Sequence, residues 1–375
     1  MKVLTRYVSS EIVGAVFFAL IAFLALFAFF DLIQELQDVG RGNYQLQHAF
    51  LYVAMGLPGY VYDLMPIAAL IGTIYALAQL GARSEFTIMR ASGLSTGMAG
   101  WMLAKVGLVL VLITFLFGEF IAPATSEMAE KMKLHTRDAT VSKEFRSGLW
   151  TKDVIRAQGM TGESIGSRFI NVRDVSPEGQ LEGVKVYEFN RDLHLTAVVT
   201  AEYADYQGEN VWRLANVSET SFFAESADLT ATVTTKTAKN RDLVSEITPD
   251  ILSVLFADPE RMSAYGLAKY TQHLEENAQS TERYEIAFWK KLFYPLAVMV
   301  MMALALPFAY LHFRAGGVSL KIFIGIMIGV SFQLINSLFS HLGLLNTWPP
   351  LVTAVLPSMI FLMIAVGSLL WVQKN

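Results

Sequence analysis

Six runs of about 20 mostly apolar residues dominate this 375-residue chain, at 12–30, 61–80, 98–122, 292–311, 322–340 and 349–372. The first is uncharged throughout. At 1.5 Å per residue, such a run matches the roughly 30 Å of hydrocarbon in a bilayer, so each reads as a membrane-spanning helix. Composition points the same way. Hydrophobic residues make up 54% of the chain and charged residues 17%, against about 25% charged in soluble domains, so much of this surface faces lipid. The run at 12–30 lacks a small-residue cleavage site and reads as a retained first span. A net charge of −4 leaves no basic footprint for nucleic acid. The absence of cysteine excludes disulfides, thiolate nucleophiles and cysteine-based metal sites.

Three spans precede a long polar insert and three follow it, a 3+3 layout without an evident repeat. Orientation follows from Lys and Arg in the short flanks. Lys2, Arg6, Arg83, Arg90, Arg314, Lys321 and Lys374 gather on one side, which is then cytoplasmic together with both termini. The first outer loop is acidic, with Asp31, Glu35 and Asp38 against Arg41. Within the insert the hydrophobic period changes to two, giving strands at 148–158, 168–175, 181–189, 194–207, 211–223 and 231–244. Short antiparallel strands without intervening helices indicate a sandwich or jelly-roll type of domain. A helical period returns at 263–276, and a helix from about Thr281 leads straight into the fourth span. The expected units are 1–122, 123–280 and 281–375.

Few motifs carry chemistry. No phosphate-binding loop or His-Glu-x-x-His sequence occurs, and the six histidines show no metal-ligand spacing. Gly162-Glu163-Ser164-Ile165-Gly166 fits the nucleophile-elbow pattern but lies between polar strands, so a hairpin loop is expected there. Ionisable groups near spans are costly and so informative. Asp63 and Glu119 lie towards outer ends, Lys105 and Lys321 towards inner ends, and helix pairing is the plain reading for each. Gln333, Asn336, Ser337 and Ser340 form a polar stripe on the fifth span, which should turn to a partner helix or a cavity.

The segment 80–95 is a short charged stretch between two spans. As a helix over 83–93 it places Ala82, Phe86, Met89 and Gly93 on one face and Arg83, Thr87 and Arg90 on another. Gly93 suits a left-handed end. Such a helix can lie in headgroups or dock into another protein.

Several of these stretches together resemble a known family. Leu64-Met65-Pro66-Ile67-Ala68-Ala69-Leu70 followed by Arg83-Ser84-Glu85-Phe86-Thr87-Ile88-Met89-Arg90-Ala91-Ser92-Gly93 is similar to the LptF/LptG permeases of the lipopolysaccharide export ABC transporter. So are Gly118-Glu119-Phe120-Ile121-Ala122-Pro123, Gly148-Leu149-Trp150-Thr151-Lys152, and Arg283-Tyr284 through Trp289-Lys290-Lys291-Leu292-Phe293-Tyr294-Pro295. The third span's end and the opening of the insert resemble the LptG branch more than the LptF branch.

The resemblance implies an α-helical integral membrane protein with six transmembrane helices (3+3) and an inserted periplasmic all-β jelly-roll-like domain, in the bacterial inner membrane. It implies a permease subunit that extracts lipopolysaccharide from the outer leaflet and passes it to a periplasmic bridge. The partners would be an LptF-type permease, an LptB-type ATPase dimer and an LptC-type single-span adaptor. ATP and Mg would sit on the ATPase, with no cofactor and no catalysis on this chain. Arg83, Glu85, Phe86, Met89, Arg90 and Gly93 would form the coupling helix, with Glu85 as its charged contact. The first and fifth spans would line the lipid gate, with Leu32, Leu36 and Arg41 at one and Gln333, Asn336 and Ser337 at the other. The family often carries lysines at the outer end of the first span, where this chain has only Arg41 among carboxylates. Phosphate contacts would then fall to Arg41, to the LptF-type partner or to divalent ions. Two alternatives are the LptF-type role itself and a membrane-anchored periplasmic scaffold without an ATPase.

Overall fold

A computed structural model of the chain describes residues 2–136, 148–159, 161–176, 179–223, 232–249, 251–252, 258–277, 279–310, 318–346 and 348–374. Six helices are long and apolar enough to cross a membrane, and they coincide with the six runs of the sequence. Their ends reach further than the apolar runs, because flanking polar residues continue the helices beyond hydrocarbon. Helix α1 spans Lys2–Glu35 and α2 spans Leu46–Ala82. A short α3, Glu85–Ala91, leads to α4, Thr96–Leu116. A π-turn at Phe117–Ile121 joins α4 to α5, Ala122–Thr136.

Helix α2 is the centre of the bundle and is buried along most of its length. Its Pro58 and Pro66 are accommodated within the helix because neighbouring helices enclose it. Helix α1 approaches α2 tightly at Gly72, where a Cβ would lie 2.5 Å from the Val16 backbone. Only glycine permits that crossing.

The inserted domain is an all-antiparallel six-stranded sheet. Its strands are β1 Leu149–Gln158, β2 Thr161–Val175, β3 Leu181–Asn190, β4 Leu195–Gly208, β5 Val211–Phe223 and β6 Thr232–Val244. Each strand pairs with the next in sequence, so among the described residues the domain is built as a meander. Strand β2 begins at Thr161, so the Gly162–Gly166 motif lies within a strand paired to β1, not in the hairpin loop expected from the sequence. No strand–turn–helix elbow exists there, and the serine has no nucleophile geometry.

One face of the sheet buries Val172, Val184, Val186, Val199 and Leu214. That face is closed by Ile247, Ile251, Leu252 and by α6, Ala264–Glu276, through Leu267, Tyr270 and Leu274. Trp212 Nε1 donates to the Ile247 carbonyl at 2.7 Å, which satisfies the one polar atom of a buried indole.

The chain returns to the bundle through α7, Glu282–Phe293, a 3-10 turn at Tyr294–Leu296, α8, Ala297–Ala305, and α9, Pro307–Tyr310. The expected helix from about Thr281 into the fourth span is present as one 29-residue run, Glu282–Tyr310, with local irregularities at Tyr294–Leu296 and at Leu306, where Pro295 and Pro307 cannot donate to the helix ladder. Helices α10, Val318–Leu345, and α11, Pro350–Lys374, complete the fold. Gly325 and Gly329 of α10 pack against Ile74 and Ile67 of α2. The opposite face of α10 exposes Phe323, Met327, Val330, Leu334 and Leu338.

Candidate functional site

Between α2 and α4 the backbone makes a tight reversal. Arg83 closes α2, and Ser84 adopts the left-handed conformation with φ of 61°. The helix therefore begins at Glu85, two residues later than the 83–93 expected from the sequence. At the other end the Gly93 N–H bonds the Arg90 carbonyl and the Leu94 N–H bonds the Met89 carbonyl. Gly93 has φ of +98°, so this is a Schellman end, which glycine adopts without strain. The following Leu94 is buried and pins the turn.

The faces of α3 differ from the sequence expectation in one respect. Phe86 is not free to anchor a partner: it is buried against the Tyr310 ring, edge to face at 5.3 Å. Met89 is half-buried against the same core. Both hold α3 onto the bundle, because an apolar stripe on a two-turn helix is first claimed by its own chain. Arg90 lies over the same Tyr310 ring at 4.9 Å. What α3 presents outward is Arg83 before it, Thr87 and Ile88, the last 63% exposed. Glu85 is half-buried and accepts a 2.8 Å hydrogen bond from the Tyr7 hydroxyl of α1.

The opposite ends of the spans hold the sheet in place. Glu119, on the π-turn, accepts the backbone N–H groups of Ala264 at 2.8 Å and Tyr265 at 3.3 Å. These are first-turn donors of α6, so the carboxylate faces the positive end of the helix. Gly118 admits Tyr62 so closely that a Cβ would stand 2.3 Å from its ring. Lys290 pairs with Glu260 at 2.8 Å, and its charge holds that carboxyl below the usual carboxylate range. Lys291 sits over the Tyr62 ring at 4.8 Å. Asp63 is exposed, and its backbone carbonyl accepts the Tyr294 hydroxyl at 2.6 Å. Helix α6 and the Pro259–Arg261 turn before it are therefore fastened to the spans by Glu119 and Lys290, which lie far apart in sequence.

At the Glu35 end of α1, Leu32 is half-buried and Leu36, just beyond it, is exposed. Arg41 pairs with Asp38 at 2.6 Å. In the sequence Arg41 stands as the lone cation of this region. Folding adds a second, Lys133 of α5, which contacts Glu35 at 2.8 Å and lies over the Tyr52 ring at 4.4 Å. Glu35 is buried and also accepts the Tyr44 hydroxyl at 2.7 Å. On α10 the expected stripe divides. Asn336 is buried, whereas Gln333 is exposed and so is Ser337. Gln333 accepts from the Tyr294 hydroxyl at 3.5 Å, and the Ser337 carbonyl meets His341 Nδ1 at 3.0 Å. Nothing in the sequence marks Tyr7, Lys133 or Tyr310. Each is an ordinary residue until its distant partner is known.

Among the described residues no group of three His, Asp or Glu side chains is placed to hold a metal ion. The family model for the lipopolysaccharide export system permease LptF/LptG matches residues 6–371. The chain is 30% identical over 371 residues to the lipopolysaccharide export system permease protein LptG of Escherichia coli (strain K12), covering 98% of each. It is 28% identical over 363 residues to the LptG of Haemophilus influenzae, covering 96% of each. With six spans and an inserted sheet arranged as described, the chain is a multi-pass membrane protein and belongs to the LptF/LptG family of lipopolysaccharide export system permeases, of the LptG type.

Proposed function

We propose that this chain is the LptG-type half of an export permease that withdraws lipopolysaccharide from the outer leaflet of the bacterial inner membrane, driven by ATP hydrolysis on a separate LptB-type ATPase. The observation that carries this reading is α3, a two-turn helix seated between the ends of two long spans, with Glu85 half-buried and Ile88 exposed. Its apolar anchors are spent on its own chain, so the outward residues are the ones left for a partner. Both termini and α3 are cytoplasmic, and the sheet is periplasmic. Lipid arrives between the outward faces of α1 and α10, where an LptF-type permease and an LptC-type single-span adaptor complete the gate. It then passes to the sheet and on to the bridge. No cofactor belongs to this chain; ATP and Mg belong to the ATPase.

Two measurements test the assignment. Purification in mild detergent from the native membrane should recover an ATPase carrying a phosphate-binding loop, and recovery of a lone chain would favour a scaffold instead. The chain lacks cysteine, so single cysteines report topology cleanly. Asn240→Cys should react with an impermeant maleimide in spheroplasts and Ser92→Cys should not. Labelling at position 92 alone would invert the orientation.

A further inference from the structure

Helix α3 has seven residues and cannot hold its shape unaided, since isolated helices of this length are unstable in water. It is fastened at two points. Phe86 and Arg90 bind Tyr310, at the end of the fourth span. Glu85 Oε2 accepts the hydroxyl of Tyr7, which lies 78 residues away, at 2.8 Å. Among the described residues this is the only side-chain hydrogen bond that Glu85 makes. Tyr7 belongs to α1, an unbroken helix of 34 residues whose other end carries Leu32 and Glu35. At 1.5 Å per residue α1 is about 50 Å long, so it reaches from α3 to the outer membrane surface as one rigid piece.

We propose that Tyr7 is a positioning residue: its hydroxyl holds the Glu85 carboxylate and ties the first span to the coupling helix. This rests on the reading above that an ATPase grips α3 through Glu85. The hydrogen bond sets the carboxylate so that Oε1 meets the ATPase while Oε2 stays on α1. A displacement of α3 then reaches the outer end of α1 through one helix, with no intervening loop. A tyrosine near a helix end could equally be an interfacial anchor whose ring alone matters. The two roles differ in what removal of a single oxygen does.

The test uses the complete complex of both permeases and the ATPase, reconstituted in proteoliposomes loaded with lipopolysaccharide. ATPase recovery, ATP hydrolysis and lipid released per ATP are compared for the wild type, Tyr7→Phe, Glu85→Ala and the double variant. Tyr7→Phe should assemble with normal yield and hydrolyse ATP, yet release about two- to tenfold less lipid per ATP, the effect of losing one ordinary solvent-exposed hydrogen bond. In the Glu85→Ala background the same change should add nothing, because the hydroxyl has already lost its acceptor. Unchanged lipid per ATP in Tyr7→Phe, with Glu85→Ala defective, would overturn the role of Tyr7 and leave the ATPase contact standing. Additive losses would place the action of Tyr7 elsewhere and also overturn it. A fall in recovery of the whole complex would make the hydroxyl structural, which equally removes its positioning role. If Glu85→Ala matches the wild type in every readout, the ATPase contact itself fails and the proposal falls with it.

Discussion

Asp153 is fully buried, and its environment explains how a charge survives inside a small sheet. Arg168 donates to it from β2 at 2.7 Å and the Ser245 hydroxyl from beyond β6 at 2.7 Å. Arg168 also donates to the Val244 carbonyl. The cluster thereby ties β1, β2 and the exit from β6. Removing one partner of a buried pair leaves the other charge uncompensated, so Asp153→Ala should destabilise the sheet by about 3–5 kcal/mol. The check is hydrogen exchange in β1 and β2 of the detergent-purified chain, which should quicken while α2 stays protected. His273 gives a pH dependence of definite sign. It is buried on α6 beside Glu246, 3.8 Å away, and burial pushes its pKa down. The unfolded chain binds a proton at this residue near pH 6.5 where the folded chain does not, so stability is lost as pH falls below about 6.5. His273→Gln should flatten that loss, read as the change in thermal midpoint between about pH 7.5 and 5.5.

Among the elements, α3 and α6 divide the work of fastening. Glu119 satisfies two first-turn donors of α6, so Glu119→Ala should cost about 1 kcal/mol and fray that helix start first. Faster exchange at Ala264 and Tyr265, with the sheet unchanged, is the expected signature. On α3 the two apolar residues should behave differently. Phe86→Ala empties a buried site and should loosen α3 by about 3 kcal/mol. Ile88→Ala should leave the fold alone and weaken ATPase recovery, since Ile88 is exposed. Equal effects of the two on ATPase recovery, at unchanged stability, would return Phe86 to the docking face. These elements also mark what the sequence can reveal. The spans are legible because apolar length is read locally, and Gly93 because a helix end needs one residue of special conformation. The direction of Phe86 is not legible. Periodicity assigns a face to a helix but does not say whether that face meets its own chain or another. The role of Lys133 is hidden likewise, because its neutralisation of Glu35 exists only after α1 and α5 meet.

In the molecule as a whole, one helix organises the membrane part, and one short helix is its proposed handle. Helix α2 packs against α1, α5, α8 and α10, while α1, α10 and α11 turn most of their surface outward. Those outward faces, rich in Phe and Leu, are surfaces for lipid or for companion spans. The inserted sheet is joined to one end of this bundle through Glu119, Lys290 and Lys291, so movement of the spans and placement of the sheet are mechanically joined. In the proposed mechanism, energy reaches this assembly from outside the chain, through Glu85. Lipopolysaccharide release from proteoliposomes, measured together with ATPase recovery for Glu85→Arg, reads that transfer without an intermediate step. A desolvated charge contact broken on one side costs about 2–5 kcal/mol, so both readouts should fall by roughly 30-fold or more, and a reversed charge on the ATPase should partly restore them. Wild-type lipid release and wild-type ATPase recovery in Glu85→Arg would mean that no force passes through this carboxylate.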